Sequence, residues 1–183
     1  FPAERPMTST PLADLFAKPR RVIALIGLAS LALIAGAWFF ELVVHLRPCK
    51  LCLEQRVPHY AAIGLAAVAL LLARSRRSQL VALAALALLM AWSTGLGLYH
   101  SGVEWGWFAG PNDCGGAVAP AASGMQDFMK QLQTVRVVSC TEAAWRFLGL
   151  SLAGWNALAS LGLLIAALLG LKSAARVAGG SPA

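Results

Sequence analysis

The reactive chemistry of this sequence is concentrated in four cysteines. Cys49 and Cys52 stand three apart in "RPCKLCLEQR", residues 47–56, with Arg56 four residues further on, while Cys114 and Cys140 lie 26 apart. Three chemistries use cysteines in this way. A tetrahedral zinc site needs four converging thiolates, commonly from two C-x-x-C knuckles; only one pair here has that spacing, and no metal is expected. Purely structural disulfides are the second reading, but a C-x-x-C bridge closes so short a loop that it constrains the unfolded chain very little. Thiol–disulfide exchange is the third. Cys52 falls just ahead of an apolar run, where the positive end of a helix and the Arg56 guanidinium would both favour a thiolate. A favoured thiolate makes the matching disulfide a stronger oxidant. Arg56 keeps its charge at every relevant pH, and a charge at a membrane edge is costly against lipid, so it is expected to face a polar ligand or headgroups.

The elements that must position these residues are apolar. Of the 183 residues, 58% are hydrophobic and 13% charged, about half the charged fraction of a soluble domain, and the mean hydropathy is +0.68. Four runs, 22–44, 57–73, 80–98 and 147–171, approach or exceed the ~20 helical residues that cross a bilayer core of ~30 Å. They lack the polar face of a soluble bundle helix and the alternation of a barrel strand. Backbone groups in lipid must pair internally, so the runs are predicted helices. Pro58 falls in the first turn of the second run, where its missing N–H costs nothing. The expected fold is an all-α membrane protein, a four-transmembrane-helix bundle with two extramembrane loops. Its divisions are a tail over 1–21, the membrane domain over 22–171 and a second tail over 172–183. The first run is too long for a cleavable signal, and Phe1–Pro6, ahead of Met7, are expected to be an appended remnant.

Charge orients the bundle. Four spans put both termini on one side, with nine basic and two acidic residues, and loops 45–56 and 99–146 on the other, which together with Glu41 near the end of the first run holds six of each. The short loops tie in Lys and Arg, and Lys18, Arg20 and Arg21 break the tie toward cytoplasmic termini. These clusters read as topology signals and headgroup contacts, not as a nucleic-acid site. All four cysteines then face outward, which in a bacterium is the periplasm, where disulfides persist. Of the three possible pairings, the spacing favours Cys49–Cys52 and Cys114–Cys140.

The second loop carries Gly110, Pro111, Asn112, Gly115, Gly116 and Pro120 around Cys114, all turn and flexibility signals. Met125, Phe128, Met129 and Leu132 then recur at helical spacing, predicting a short amphipathic helix on the membrane surface or packed on the bundle.

These motifs resemble the DsbB family of disulfide bond formation proteins. "RPCKLCLEQR" resembles its first periplasmic loop, "GLYHSGVEWGWFAGPNDC" (97–114) its segment from third span to third cysteine, and "CTEAAWRFLGLSLAGW" (140–155) its segment from last cysteine into the fourth span. The resemblance covers about residues 20–171 and implies an inner-membrane, quinone-dependent thiol oxidase, with ubiquinone or menaquinone as cofactor. It implies that Cys49 and Cys52 are the pair reoxidised by quinone, with Cys52, Arg56 and His100 beside the quinone. It also implies that Cys114 and Cys140 exchange with a soluble, periplasmic, DsbA-like thioredoxin-fold oxidase. The stretch "GGAVAPAASG" after Cys114 is more flexible than the family pattern. The vitamin K epoxide reductase family also has four spans and redox cysteines, but carries its quinone-proximal C-x-x-C in a late span. A non-enzymatic metal-binding membrane protein is the other alternative.

Overall fold

The computed structural model describes residues 15–111, 124–126 and 139–179. Helix α1 is Pro19–Leu42, with its proline in the first turn, where no N–H is needed. A short α2, Lys50–Glu54, and α3, Arg56–Leu72, form the second span. The interruption at Gln55 follows from Pro58, which has no N–H to give the Glu54 carbonyl. Gln55 itself stays right-handed helical (φ −64°, ψ −21°), so the helix direction persists. Helix α4, Arg76–Glu104, is capped by Ser75, whose hydroxyl oxygen accepts the Ser78 N–H at 3.1 Å. Strands β1, Arg146–Phe147, and β2, Leu150–Ser151, form an antiparallel hairpin that leads into α5, Leu152–Gly179.

Four helical segments, Pro19–Leu42, Lys50–Leu72, Arg76–Glu104 and Leu152–Ala175, are long and apolar enough to cross a membrane. The chain is thus a multi-pass helical membrane bundle, as the apolar runs predict. Large apolar side chains such as Leu28, Leu71, Val81 and Leu88 are exposed along the outer surface, as a lipid-facing surface requires. Inside, Val22, Ile23, Ile26, Leu83, Leu86 and Met90 are fully buried. Helix α1 packs on α3 and α4 on α5, and small residues set both spacings. A Cβ on Gly97 would come within 2.9 Å of the Ala157 backbone, and one on Gly27 within 2.8 Å of the Ala66 Cβ. Close backbone approach of this kind is how helices associate where lipid removes the hydrophobic drive.

Several boundaries differ from the sequence-based expectation: the first span is shifted to Pro19–Leu42, the second begins at Lys50 rather than 57 and the third at Arg76 rather than 80, and two further differences shape the site. The third span does not stop at 98 but runs to Glu104, which carries His100 and Glu104 on one helix. Its stop is a glycine cap. Gly106, at φ +75°, donates to the Val103 carbonyl at 3.1 Å and Trp107 donates to the Gly102 carbonyl at 2.8 Å, satisfying the last carbonyls of the helix. The fourth span does not start at 147. Leu148 (φ 51°) and Gly149 (φ 83°) make the two-residue turn with positive φ at both positions that suits a twisted hairpin. Phe147 packs on Trp155 of α5, whose indole N–H donates to the Phe147 carbonyl at 3.1 Å, and this holds the hairpin over the start of α5. Of the amphipathic helix expected over 125–132, Met125 and Gln126 are helical; the remainder, like Cys114, lies outside the described residues.

Candidate redox site

The chain between α1 and α2 turns at His45, in the left-handed region (φ 59°), and delivers Cys49 as the N-cap of α2. The Cys49 sulfur accepts the Cys52 N–H at 3.2 Å, taking the capping place usually filled by an oxygen. The two Sγ atoms lie 2.6 Å apart. Cys49 is 3% exposed, whereas Cys52 is only partly buried. The hydrogen bond to Cys52, and then burial, push the Cys49 thiol far up from its ordinary range. Cys49 therefore keeps its proton and offers it to Cys52, whose sulfur is the one presented outward.

Behind this pair runs a chain of hydrogen bonds into the membrane. The Gln55 amide donates through Nε2 to His100 Nδ1 at 2.6 Å, which leaves the neutral ring's proton on Nε2. That nitrogen is 3.6 Å from Cys49 Sγ and 3.8 Å from Glu104 Oε1. Asn156 Nδ2 donates to Gln55 Oε1 at 2.8 Å, and His59 Nε2 donates to Asn156 Oδ1 at 3.0 Å. Ser30 and Ser93 hydroxyls lie 3.2 and 3.1 Å from the His59 ring nitrogens, and Ser93 meets Ser160 at 2.8 Å. All four membrane spans contribute. A polar group left unpaired at this depth would cost about 1–3 kcal/mol, so the network ties the spans into one register.

Arg56 is also built in. Its Nη1 donates to Glu41 Oε2 at 2.7 Å, and its guanidinium lies 5.6 Å from the Trp38 ring centre. Trp38 in turn donates its indole N–H to the Tyr60 hydroxyl at 2.9 Å. The single acidic residue of the first apolar run is therefore the arginine's partner, which pairing across two spans makes affordable.

Cys52, Arg56 and His100 line one cavity of about 260 Å³, together with Glu41, Gln55, His59 and Asn156. Its other walls are mainly apolar, among them Ala32, Ile34, Ala37, Phe40 and Leu152. Cys140, 1% exposed, is buried in one cluster with Cys49, Leu51 and Val103. The sulfurs of Cys49 and Cys140 and a ring nitrogen of His100 all lie within 4.8 Å of one another. The structure thus brings together Cys49, Cys52, Cys140, Arg56 and His100; Cys114 lies outside the described residues. Sequence reasoning did not single out Gln55, His59, Asn156 or Glu104 as parts of the site. The signal for them was available, because polar side chains inside apolar spans mark functional or packing sites by default.

A helical membrane bundle with a C-x-x-C pair at one end of a span and a third buried cysteine against it defines a class, the membrane thiol–disulfide oxidoreductases. Comparison with known proteins narrows the class. The family model for Disulfide bond formation protein DsbB matches residues 19–170. The chain is 32% identical over 175 residues to Disulfide bond formation protein B of Polaromonas sp., covering 88% of this chain and 94% of that protein. It is 36% identical over 160 residues to the protein of the same name from Verminephrobacter eiseniae, covering 82% and 86%. The chain belongs to the DsbB family and is a membrane disulfide-forming oxidoreductase.

Proposed function

We propose that this protein reoxidises a periplasmic DsbA-like thioredoxin-fold oxidase and passes the electrons through its two cysteine pairs to membrane quinone, ubiquinone or menaquinone. The observation that carries the reading is the shared cavity: Cys52, Arg56 and His100 meet in one mainly apolar pocket. About 260 Å³ suits a flat ring and falls just below the usual range of ligand pockets, ~300–1,000 Å³. Apolar walls for a ring, the Arg56 cation for a carbonyl oxygen and the Cys52 sulfur at the edge are the groups such a ligand requires. When bound, the quinone supplies the two-electron, two-proton acceptor.

The residues of the chain have separate roles. The reduced partner's thiolate attacks the Cys114–Cys140 disulfide and leaves oxidised, with Cys114 and Cys140 as thiols. Cys140 then attacks Cys49 of the Cys49–Cys52 disulfide, and the proximity of the Cys140 and Cys49 sulfurs favours that attack. Resolution by Cys114 restores Cys114–Cys140 and leaves Cys49 and Cys52 as thiols. Cys52 presents its sulfur to the cavity while Cys49 holds a proton behind it. Arg56 offsets negative charge developing at the cavity edge, and Gln55 fixes His100 with its Nε2 proton directed away from the Gln55 amide. Re-forming Cys49–Cys52 releases two electrons and two protons, which balances the acceptor. The termini are cytoplasmic in this reading, the cysteine loops periplasmic, and residues 22–171 the membrane redox domain.

The test is quinone reduction by purified protein supplied with a reduced thioredoxin-fold oxidase. Cys52→Ser should abolish it with any thiol donor. Cys114→Ser should abolish it with the protein donor but keep it with a small dithiol. Equal loss of both activities in both variants contradicts the division of roles.

A further inference from the structure

Cys49, His100 and Cys140 come from three separate elements, the α2 cap, α4 and the segment before the hairpin, and all three are buried. Their ligand atoms lie within 4.8 Å of one another, and Cys49 Sγ is 3.6 Å from His100 Nε2. Tetrahedral zinc, with Zn–S of about 2.3 Å and Zn–N of about 2.0 Å, needs ligand–ligand edges of about 3.5–3.8 Å. The cluster is already close to that size. Beside it sits Glu104, with a side chain 4% exposed and an Oε2 that has no partner among the described residues. A small cavity of about 30 Å³ is lined by Cys49, Cys52, His100, Glu104 and Glu142, among others, though not by Cys140. An unpaired buried carboxylate oxygen costs free energy that a cation would recover.

We propose that the fully reduced protein holds one thiophilic divalent cation of the zinc type on Cys49, His100 and Cys140, with Glu104 completing the tetrahedron. Binding displaces the two thiol protons. The His100 proton moves from Nε2 to Nδ1, where Gln55 accepts it through Oε1, the outer contact that metal-bound histidines use; this requires the Gln55 and Asn156 amides to turn over together and the His59 proton to move to Nδ1, beside the Ser30 hydroxyl. Cys52 lies outside the ligand group, so the site differs from a simple C-x-x-C chelate. The oxidised protein cannot bind, because Cys49 is then in a disulfide. The cation occupies the two sulfurs that face each other across the loops and so locks the reduced state. The inference is independent of the quinone assignment, since it needs only thiols.

The test is titration of the detergent-purified full chain with Co²⁺, then displacement by Zn²⁺, followed by absorption. Reduced wild type should take one Co²⁺ per chain, with thiolate charge-transfer bands and the intense visible bands of a tetrahedral ion, and the disulfide form none. Cys52→Ser should retain the spectrum and Cys140→Ser should lose the second thiolate's contribution. His100→Ala should lose tight binding, and the near-isosteric Glu104→Gln should weaken it roughly 10–100-fold without affecting folding. Loss of binding in Cys52→Ser with retention in Cys140→Ser would assign the ion to the C-x-x-C pair and overturn the proposal. So would Glu104→Gln and His100→Ala binding like wild type, or a thiolate-free octahedral spectrum, which marks an adventitious ion.

Discussion

Arg56→Met separates two roles that the structure gives one side chain. Arg56 faces the cavity and also neutralises Glu41 at 2.7 Å, with side chains 11% and 28% exposed. Removing the guanidinium therefore has a functional and a structural consequence. A charge-assisted contact to a ligand is worth about 1.5–3 kcal/mol, which is roughly a tenfold to hundredfold loss in quinone reduction. The orphaned Glu41 carboxylate costs stability as well. An exposed pair would lose about 0–1 kcal/mol and a fully buried one about 3–5 kcal/mol; the partial exposure here places the loss at about 1–3 kcal/mol. The double variant Glu41→Gln/Arg56→Met removes the orphan, so it should recover thermal stability in detergent but not the rate. Arg56→Lys should recover part of the rate, because it keeps the charge but loses the planar fork. The assay is the initial rate of quinone reduction against quinone concentration, with a melting curve for each variant. If Arg56→Met matches wild type at every quinone concentration, Arg56 serves only Glu41 and the quinone site is misplaced. If the double variant regains the rate, the loss came from the unpaired carboxylate, and the electrostatic role of Arg56 fails.

Gln55→Leu should leave His100 Nδ1 and Asn156 Nδ2 without these partners and lower stability by about 1–3 kcal/mol per orphan; an unchanged melting temperature would show that the intramembrane network is not needed to hold the spans. Gly97→Val should force α4 from α5, because the added Cβ meets the Ala157 backbone at 2.9 Å, at a cost of about 1–3 kcal/mol. Gly95→Ala, with open space at its Cβ, should be neutral or better, and equal destabilisation by the two would remove close packing as the reason. For the reduced protein, the raised Cys49 thiol means the folded state holds this proton more tightly than the unfolded chain. The Cys49 contribution is then flat below the ordinary thiol value of 9.0 and declines as pH rises above it. Melting of reduced Cys49→Ser against Cys52→Ser from pH 7 to above 9 checks the sign. Alkylation of the reduced pair by iodoacetamide should reach the partly exposed Cys52 before the 3%-exposed Cys49, and faster labelling of Cys49 would contradict the outward presentation of Cys52.

The membrane class, the number of spans and the reactive pair were legible in the sequence because each depends on local properties. An apolar run long enough to cross lipid must be helical whatever surrounds it, and C-x-x-C with Arg56 four beyond Cys52 falls on consecutive turns of one helix. The ends of the spans were less legible. The glycine cap at Gly106 and the Leu148–Gly149 turn are small local signals, and between them they add a turn to the third span and remove one from the fourth. Only the tertiary structure decided who meets whom. Cys49 and Cys140 are 91 positions apart, and no spacing rule pairs either with His100. Nor does any local pattern match Arg56 to Glu41, or Asn156 to both Gln55 and His59. Those contacts are set by how closely small residues such as Gly97 and Gly27 let neighbouring helices approach, and by the cost of leaving any polar group unpaired in lipid. The residues that do the chemistry were thus declared one span at a time, while their meeting point is a property of the packed bundle.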